Sequence, residues 1–297
     1  MKKMDKILFV TALNIEAEPV KKYFNLKKVN NCKGFALFDG PEHALVISGI
    51  GKVRSGAATA FAIAALDVLP AVIINYGLAG AINYPDAEKG DLFLIDSVKD
   101  GATGREFYPD LLIKTDIEYS SIVTVDKMAI SGTNIKFGDT KDDNLSDEQM
   151  LADMEASGFF ETAQLFAGPH LIALFKVIAD KGHCLNSSDL EQAKFSLDKR
   201  FPIVADYAAS LLELSQSLNS SVLSENQLQL VDLTVKKLSL TVSQTHKLID
   251  LSKGYVIKNS VLRFPDIQIE EPKTKKSRNR QFNKICDFLI NGTGLAG

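Results

Sequence analysis

Three acidic residues in this sequence stand where a carboxylate could take part in chemistry rather than face solvent. Glu155 lies in DMEASGFFETAQLF, among small and aromatic residues at helical spacing, where a solvated glutamate is not expected. Asp180 ends the apolar run KVIAD, and Glu16 follows the apolar run ILFVTAL. Such carboxylates can transfer protons or stabilise a positive charge that develops on a substrate. Simpler roles stay open, because Asp180 could cap a turn and Glu16 could be an acid favoured by a helix dipole.

Two pairs of glycines follow β-rich runs and could let the backbone approach a ligand. Gly49 and Gly51, in SGIGKV, stand between a predicted strand and a predicted helix. Neither the dinucleotide-binding fingerprint nor the GxxxxGK[ST] loop is complete, so a tight turn explains this pair equally well. Gly77 and Gly80, in NYGLAGAIN, end a continuous apolar run. Ligands of open α/β sheets tend to bind at that edge.

The order of elements over the first 180 residues is typical of an α/β domain. Short β-rich runs such as KILFVTA and AVIINYG alternate with Ala-rich helical runs such as RSGAATAFAIAALDVL. Continuous apolar strands indicate a sheet that is covered on both faces. We also expect MAISGT to form a strand, and SDEQMLADMEASGFFETAQLFA to form a helix that could break before Asp153. These patterns predict a three-layer α/β domain with a largely buried sheet.

The last quarter of the chain differs in texture and in charge. Residues 224–297 hold 12 Lys+Arg and 7 Asp+Glu, a net charge of +5, whereas the preceding residues have a net charge of −8. Two helical segments are predicted to form a hairpin joined near Ser239–Thr241. We therefore predict one domain over residues 1–222 and a helical, basic extension over residues 223–297.

A basic segment near the C-terminus, KTKKSRNR, has two interpretations. Its five basic residues could contact nucleic-acid phosphates. Without interleaved aromatic residues or a recognition motif, a solvated linker before a last short helix, QFNKICDFLI, is favoured. The helices before this segment could cover the first domain, support a dimer or dock a protein partner.

The composition argues against several classes of protein. No apolar run in the 297 residues approaches the roughly 20 residues that a membrane span needs. The short run ILFVTAL is followed by Glu16 and Glu18 without a cleavage pattern, so a buried strand is favoured over a signal peptide. The three cysteines and four histidines are scattered, which predicts no disulfide framework, no metal site and a reducing, cytoplasmic setting.

The order and spacing of six segments resemble those of the nucleoside phosphorylase/nucleosidase family: SGIGKV, NYGLAGAIN, KGDLFLID, SGT, DMEA and KVIAD. Within that family, the sequence is most similar to the 5′-methylthioadenosine/S-adenosylhomocysteine nucleosidases. The resemblance covers about residues 5–181, and SGIGKV and DMEA match closely. It implies a three-layer α/β/α sandwich with a mixed central sheet. The predicted helical C-terminal extension has no counterpart in the simple nucleosidases. The resemblance also implies hydrolysis of the N-glycosidic bond of a purine nucleoside, a 5′-modified adenosine, without a cofactor and in a homodimer.

The resemblance further implies roles for single residues. Glu16 would activate the attacking water, Glu155 would hold the ribose hydroxyls, Met154 would pack on the sugar, and Asp180 would protonate purine N7. Breaking the glycosidic bond builds positive charge on the ribose and negative charge on the purine, so a carboxylate and a proton donor are both needed. Further residues implied to bind the substrate are Leu78, Ala79, Gly80, Ile135, Lys136 and Lys176.

Some positions depart from the family's pattern. Asn75 stands where the phosphorylases have a phosphate-binding arginine, which favours hydrolysis over phosphorolysis. Leu78 replaces a small hydroxyl residue and Lys176 replaces an arginine, which affects how the ribose would be held. A phosphate-dependent phosphorylase and a non-catalytic nucleoside-binding protein remain as alternatives. For partners, we expect a small-molecule nucleoside and a second copy of the chain, with neither a membrane nor nucleic acid. The segment GREFYPDLL adds three residues that could form a different wall of the pocket: Arg105, Phe107 and Tyr108.

Overall fold

A computed structural model describes most of the chain: residues 6–30, 33–82, 84, 86–127, 149–180, 187–220, 222–259, 262, 272 and 274–291. The chain divides into two compact units, Met1–Ser215 (unit 1) and Gln216–Gly297 (unit 2). Their boundary lies upstream of residue 222, the end that the sequence predicts for the first domain. None of the described helices is long and apolar enough to cross a membrane.

Unit 1 is built on a mixed sheet of ten strands. The strands are β1 (Lys6–Thr11), β2 (Lys27–Lys28), β3 (Ala36–Asp39), β4 (His43–Ile47), β5 (Pro70–Ile82), β6 (Leu92–Asp100), β7 (Glu106–Phe107), β8 (Glu118–Thr124), β9 (Met150–Asp153) and β10 (Ile172–Asp180). Its helices are α1 (Asn14–Tyr23), α2 (Lys52–Ala65), α3 (Ala156–Ala163) and most of α4 (Ser187–Ser220).

Five of these strands form a closed ring, in the order β5, β10, β6, β8 and β9. The pairs β5–β10, β6–β8 and β8–β9 are parallel, whereas β10–β6 and β9–β5 are antiparallel. On the side of β5 that faces away from β10, β1 pairs in parallel and continues through β4, β3 and β2. The expected hairpin is formed by β3 and β4.

Hydrophobic residues fill both faces of the sheet, which confirms the predicted three-layer sandwich. Along β5, Ile73 packs in a cluster with α2 and α3, whereas the next residue, Ile74, packs in a second cluster with α1 and α4. Successive residues of a strand point to opposite faces, so a strand that is buried on both sides must be apolar throughout.

The helix predicted over SDEQMLADMEASGFFETAQLFA is wrong in its first part. Met150–Asp153 is strand β9, and α3 begins only at Ala156, so Glu155 precedes the helix instead of interrupting its apolar face. Leu151 pairs with Ala81 of β5 and Ile122 of β8, and these contacts close the ring. Pairing with distant strands therefore overrides the local helical pattern. The predicted strand MAISGT lies outside the described residues.

In its described part, unit 2 contains the end of α4 and three further helices, α5 (Glu225–Leu238), α6 (Val242–Asn259) and α7 (Lys275–Asn291), and these three share a hydrophobic core. Residues Ser239–Thr241 join α5 to α6, where the hairpin was predicted. The interpretation of KTKKSRNR as a linker is wrong for its described part, because α7 starts at Lys275. The side-chain oxygen of Thr274 accepts a hydrogen bond from the Ser277 backbone N–H (3.1 Å), which caps this helix.

Candidate active site

The carboxyl end of β5 carries two glycines that each lie against a carboxylate. A Cβ added to Gly77 would stand 3.0 Å from Oε1 of Glu16, and one added to Gly80 would stand 3.1 Å from Oδ1 of Asp180. Asp180 ends β10 directly beside Gly80 in the register of the two strands. The missing side chains therefore let both carboxylates approach the β5 backbone, at two positions that are three residues and about 10 Å apart along the strand.

Glu16 is a buried acid that links α1 to β5. Its Oε2 accepts hydrogen bonds from the backbone N–H groups of Ala12 (2.8 Å) and Leu13 (2.9 Å). Its Oε1 accepts one from the N–H of Leu78 (2.8 Å). Burial raises the pKa of Glu16, although the N–H of Leu13 and the charge of Lys176 oppose that rise. The residue thus caps its helix, as the simpler interpretation held, and also holds the strand that carries both glycines.

Glu155 stands at the junction between β9 and α3. Its Oε1 accepts a hydrogen bond from the N–H of Gly51 (2.8 Å), in the loop SGIGKV. Burial and the neighbouring Asp153 raise its pKa to about 7, against the charge of Lys176 and the Gly51 N–H. Met154, beside it, is half-buried. The two segments that match the family most closely, SGIGKV and DMEA, therefore meet at this carboxylate.

Lys176 and Asp153 form an ion pair inside unit 1, with Nζ 2.7 Å from Oδ2 and both side chains almost fully buried. Although burial opposes the charged form of Lys176, the carboxylates of Asp153 and Glu155 raise its pKa. Lys176 is paired with Gly77 in the β10–β5 register, so this ammonium group lies at the same end of the sheet as Glu16. Its contact with Asp153 indicates a role in holding the acids rather than in touching the sugar.

A chain of polar contacts extends from Asp153 away from the strand end. Oγ1 of Thr124 donates to Oδ1 of Asp153 (2.9 Å) and accepts from the N–H of Ser157 (2.9 Å). Ser157 in turn donates to Asp100, which also pairs with Lys52 at the start of α2. Sequence reasoning missed these residues, although Asp153 belongs to DMEA and Lys52 to SGIGKV.

Helices α2 and α3 are in close contact, and this packing fixes the Gly51 loop against Glu155. A Cβ on Gly158 would lie 1.9 Å from the carbonyl oxygen of Lys52, a distance that no structure tolerates. A Cβ on Gly56 would lie 2.7 Å from Oγ1 of Thr162. The two helices approach as they do because both positions lack side chains.

The remaining residues that the resemblance assigns to substrate binding lie in different environments. Leu78 is half-buried at the strand end, and its N–H is the group bonded to Glu16. The Ala79 side chain packs into the core against α2 and α3, so only its backbone can line a pocket. Ile135 and Lys136 lie outside the described residues. The proposed extra wall is not supported, because Phe107 packs on Phe160 in the core, Arg105 pairs with Glu161 of α3, and Tyr108 is exposed.

Among the described residues, no cluster of His, Cys, Asp and Glu side chains is arranged to hold a metal ion.

Solved structures of other proteins share the fold of unit 1. The 5′-methylthioadenosine nucleosidase of Arabidopsis thaliana matches with a TM-score of 0.56 and 20% identity, covering 70% of this chain and 97% of that one. The 5′-methylthioadenosine/S-adenosylhomocysteine nucleosidase of Neisseria meningitidis, in complex with methylthio-immucillin-A, matches with a TM-score of 0.53 and 19% identity, over 66% and 96%. The futalosine hydrolase of Helicobacter pylori matches with a TM-score of 0.50 and 17% identity, over 71% and 98%. At these identities the likeness establishes the fold.

The sequence itself was compared in two further ways. The search of curated proteins gave no match. A family model described as "Phosphorylase superfamily" matches residues 6–213, which contain every described element of unit 1 up to α4. Because this match spans more than half of the chain, the protein belongs to the phosphorylase superfamily.

Proposed function

We propose that this protein hydrolyses the N-glycosidic bond of a purine nucleoside, a 5′-modified adenosine, and releases the free base. The observation that carries the proposal is the placement of Glu16 and Glu155, two buried carboxylates around Lys176, at the sheet end where Asp180 lies on Gly80. The solved structures that share the fold include nucleosidases for 5′-methylthioadenosine and S-adenosylhomocysteine, and a futalosine hydrolase.

Glu155 is assigned to the ribose. The Gly51 N–H occupies Oε1, whereas the contact that Oε2 makes within the described part of the chain is a long one of 3.4 Å, from the N–H of Met154. Oε2 can therefore accept hydrogen bonds from sugar hydroxyls, and its negative charge stabilises the positive charge that develops on the ribose. Met154, the adjacent half-buried residue, supplies an apolar contact for the sugar ring.

Glu16 is assigned to the attacking water. Its three backbone hydrogen bonds fix the carboxylate and leave acceptor capacity on Oε1, which takes a single N–H. The raised pKa makes this group a stronger base than an ordinary glutamate once it is ionised. It can thus accept a proton as water attacks the anomeric carbon.

Asp180 is assigned to the leaving base. Its carboxylate lies against Gly80, three residues along β5 from Gly77, the position that lies against Glu16. A proton donated from Asp180 to purine N7 lets the base leave neutral. Proton transfer of this kind contributes roughly 10²–10⁴-fold to the rate.

The burial and the hydrogen bond of Asn75 favour hydrolysis over phosphorolysis. This side chain is 2% exposed, and its amide donates a hydrogen bond to the carbonyl of Val10 (3.0 Å). Lys176, a buried cation near Glu16, is bound to Asp153. Neither group is placed to bind a phosphate ion.

The test is to incubate the full-length protein with five nucleosides, with and without phosphate, and to follow free base and sugar by chromatography. The nucleosides are methylthioadenosine, S-adenosylhomocysteine, 5′-deoxyadenosine, adenosine and inosine. We expect base release without phosphate, reduced at least about 100-fold in Asp180→Asn, Glu155→Gln and Glu16→Gln. Glu18→Gln, on the same helix as Glu16 but half-exposed, is the matched control and should keep full activity. Release that requires phosphate, or no release from any nucleoside, would contradict the proposal.

The homodimer and the cytoplasmic location that we expect from the sequence are part of the same proposal. Sedimentation that gives a monomer at micromolar concentration would overturn the dimer. Fractionation of the source cells would test the location.

A further inference from the structure

Eight basic residues of unit 2 belong to the segments that meet at one end of α5, α6 and α7. Nη1 of Arg278 donates to the carbonyl of Ser239 (3.4 Å), and Nε2 of Gln244 donates to Oδ1 of Asn279 (3.2 Å). The first turns of α7 therefore lie against the turn that joins α5 to α6. We call this region the basic end, defined as residues 233–249 together with residues 274–286.

The basic end carries a dense positive charge. Residues 233–249 and 274–286 contain eight Lys and Arg residues and no Asp or Glu, and three acids, Asp232, Asp250 and Asp287, stand just beyond these ranges. Most of the basic residues are exposed, and two exposed lysines stand in the first turn of α7, where the helix dipole disfavours cations. Like charges within about 10 Å repel at ordinary ionic strength, so the arrangement costs stability in the isolated protein. An anionic partner offsets that cost. The basic residues are Lys236, Lys237, Lys247, Lys275, Lys276, Arg278, Arg280 and Lys284.

The shape of the basic end narrows the choice of partner. Helix α5 ends at Leu238, the left-handed Ser239 (φ 49°, ψ 50°) turns the chain, and α6 begins at Val242. Thr241 and Gln244 exchange hydrogen bonds that cap α6, and α7 packs against both helices. A helix, a three-residue turn and a second helix, supported by a third, occur in this order in helix-turn-helix proteins. In these proteins the second helix enters the major groove of DNA.

The exposed residues at the start of α6 suit a DNA groove. Val242 is 74% exposed, and His246 and Lys247 are exposed one turn later. A valine can contact a thymine methyl group, and histidine and lysine can donate to base edges. The deep, narrow major groove of duplex RNA does not admit a helix. A membrane-surface helix needs a broad apolar face beside its charges, whereas the first turns of α6 expose a single apolar residue, Val242.

We propose that unit 2 binds duplex DNA, with α6 in the major groove and the lysines and arginines of α5 and α7 on the flanking phosphates. This goes beyond the nucleosidase activity proposed for unit 1 and does not depend on it. It departs from the expectation from the sequence that nucleic acid is not a partner, and it rests on the contact between segments that are about 40 residues apart in the chain.

The first test measures binding of full-length protein to a labelled DNA duplex of about 20 bp by fluorescence anisotropy, over a series of salt concentrations. Without a preferred sequence, we expect a Kd of about 10⁻⁴–10⁻⁶ M at physiological salt and a steep loss of affinity as salt rises. The variant Lys275→Gln, Lys276→Gln, Arg280→Gln should bind at least tenfold more weakly. Its slope of log K against log salt should be lower by about 0.9 for each lost phosphate contact.

A matched control removes the same charge elsewhere. Lys27→Gln, Lys28→Gln, Lys199→Gln changes three exposed lysines of unit 1 and should leave both affinity and slope unchanged. Equal losses in the two triple variants would overturn the proposal, because the attraction would then come from net charge alone.

A second pair of variants tests the placement of α6. Lys247→Glu lies in the second turn of α6, and Lys258→Glu lies 11 residues further along, about 16 Å away and near the other end of the helix. Both lysines are exposed. At physiological salt this distance is about two Debye lengths. Lys247→Glu should therefore weaken duplex binding at least tenfold, and Lys258→Glu less than twofold. Circular dichroism should show equal helix content in both.

Three results would overturn the proposal. They are no binding of duplex DNA at micromolar protein and low salt, equal effects of Lys247→Glu and Lys258→Glu, and binding to anionic phospholipid vesicles without binding to DNA. The last result would assign the basic end to a membrane surface.

Discussion

The two units of this protein use charge in opposite ways. Unit 1 buries a lysine and three carboxylates at one end of its sheet, whereas unit 2 exposes its lysines at the basic end. Removing the partner of a buried charge typically costs several kcal/mol of stability, and salt screens buried charges only weakly. Exposed charges contribute less than about 1 kcal/mol each to stability, yet they attract partners in a salt-dependent way. The buried charges of unit 1 therefore hold the side chains of the candidate site in place, and the exposed charges of unit 2 are suited to attracting an anion.

The largest effect that this comparison predicts is for the ion pair of unit 1. Lys176→Met leaves Asp153 buried without its cation and removes the attraction that Glu16 and Glu155 feel. Removing one partner of a buried pair typically costs 3–5 kcal/mol. We expect a loss of about that size in the free energy of unfolding, measured with urea. Lys99→Met is the control, since Lys99 and its partner Glu106 are both partly exposed, and it should cost about 1 kcal/mol or less. Similar losses in both would contradict the comparison.

The next effect concerns Glu155 and depends on pH. Its pKa is raised from the ordinary value of 4.5 to about 7 in the folded protein. The folded state therefore favours the protonated carboxyl, and the stability that this preference contributes is fully present below pH 4.5 and is lost as pH rises through 7. Glu155→Gln does not ionise and avoids this loss. We expect the variant to match the parent protein near pH 4 and to exceed its free energy of unfolding by roughly 3 kcal/mol at pH 8. Urea titrations across that pH range test this. A constant difference would be inconsistent with an ionising Glu155.

A smaller effect separates two buried threonines of unit 1. Thr124 donates to Asp153 and accepts from Ser157, whereas Oγ1 of Thr11 has no hydrogen-bond partner among the residues that the structure describes. Thr124→Val leaves an acceptor and an N–H unsatisfied, which should cost about 1–3 kcal/mol. Thr11→Val keeps the shape and loses no bond, so its stability should equal or exceed that of the parent. Thermal unfolding of the two variants gives the comparison directly. Equal costs would mean that shape, not hydrogen bonding, decides stability at these positions.

The smallest effect is expected in unit 2 and has the opposite sign. Lys276 stands in the first turn of α7, where the helix dipole favours a negative charge. Lys276→Glu should therefore stabilise the helix by about 0.3–1 kcal/mol at low salt, while weakening any attraction to an anion. Thermal unfolding at low and high salt would show whether the gain disappears with screening. A loss of stability would indicate that Lys276 has a structural partner.

The sequence predicted the parts of the site that depend on local patterns. The segments SGIGKV and DMEA are short and contiguous, and the structure brings them together at the Gly51–Glu155 hydrogen bond. Strand β9 was missed because its pairing partners, Ala81 and Ile122, are distant in sequence and decide its conformation. The pairing of Lys176 with Asp153 was missed for the same reason, since it joins two strands of the closed ring.

The beginning of α7 was missed for a different reason. In QFNKICDFLI, the buried residues Phe282, Ile285, Cys286 and Leu289 recur at helical spacing, and this pattern predicted a short helix. The basic segment KTKKSRNR, which precedes this one, contains no apolar residues at helical spacing. Hydrophobic periodicity therefore did not predict a helix there. The hydrogen bond that caps the start of the helix is donated by the Ser277 backbone N–H and accepted by the side chain of Thr274, three residues earlier. A search for capping residues upstream of the apolar pattern would have found it.

The closed ring of strands has a consequence for the timing of events in unit 1. Strand β5 is paired with β10 along most of its length, with β1 at its beginning and with β9 at its end. Opening it requires more than one ladder to break together, so its amide hydrogens should exchange with solvent only when much of the unit unfolds. Gly77 and Gly80 thus belong to a segment that is already ordered before a ligand binds, so ligand binding does not have to order this segment.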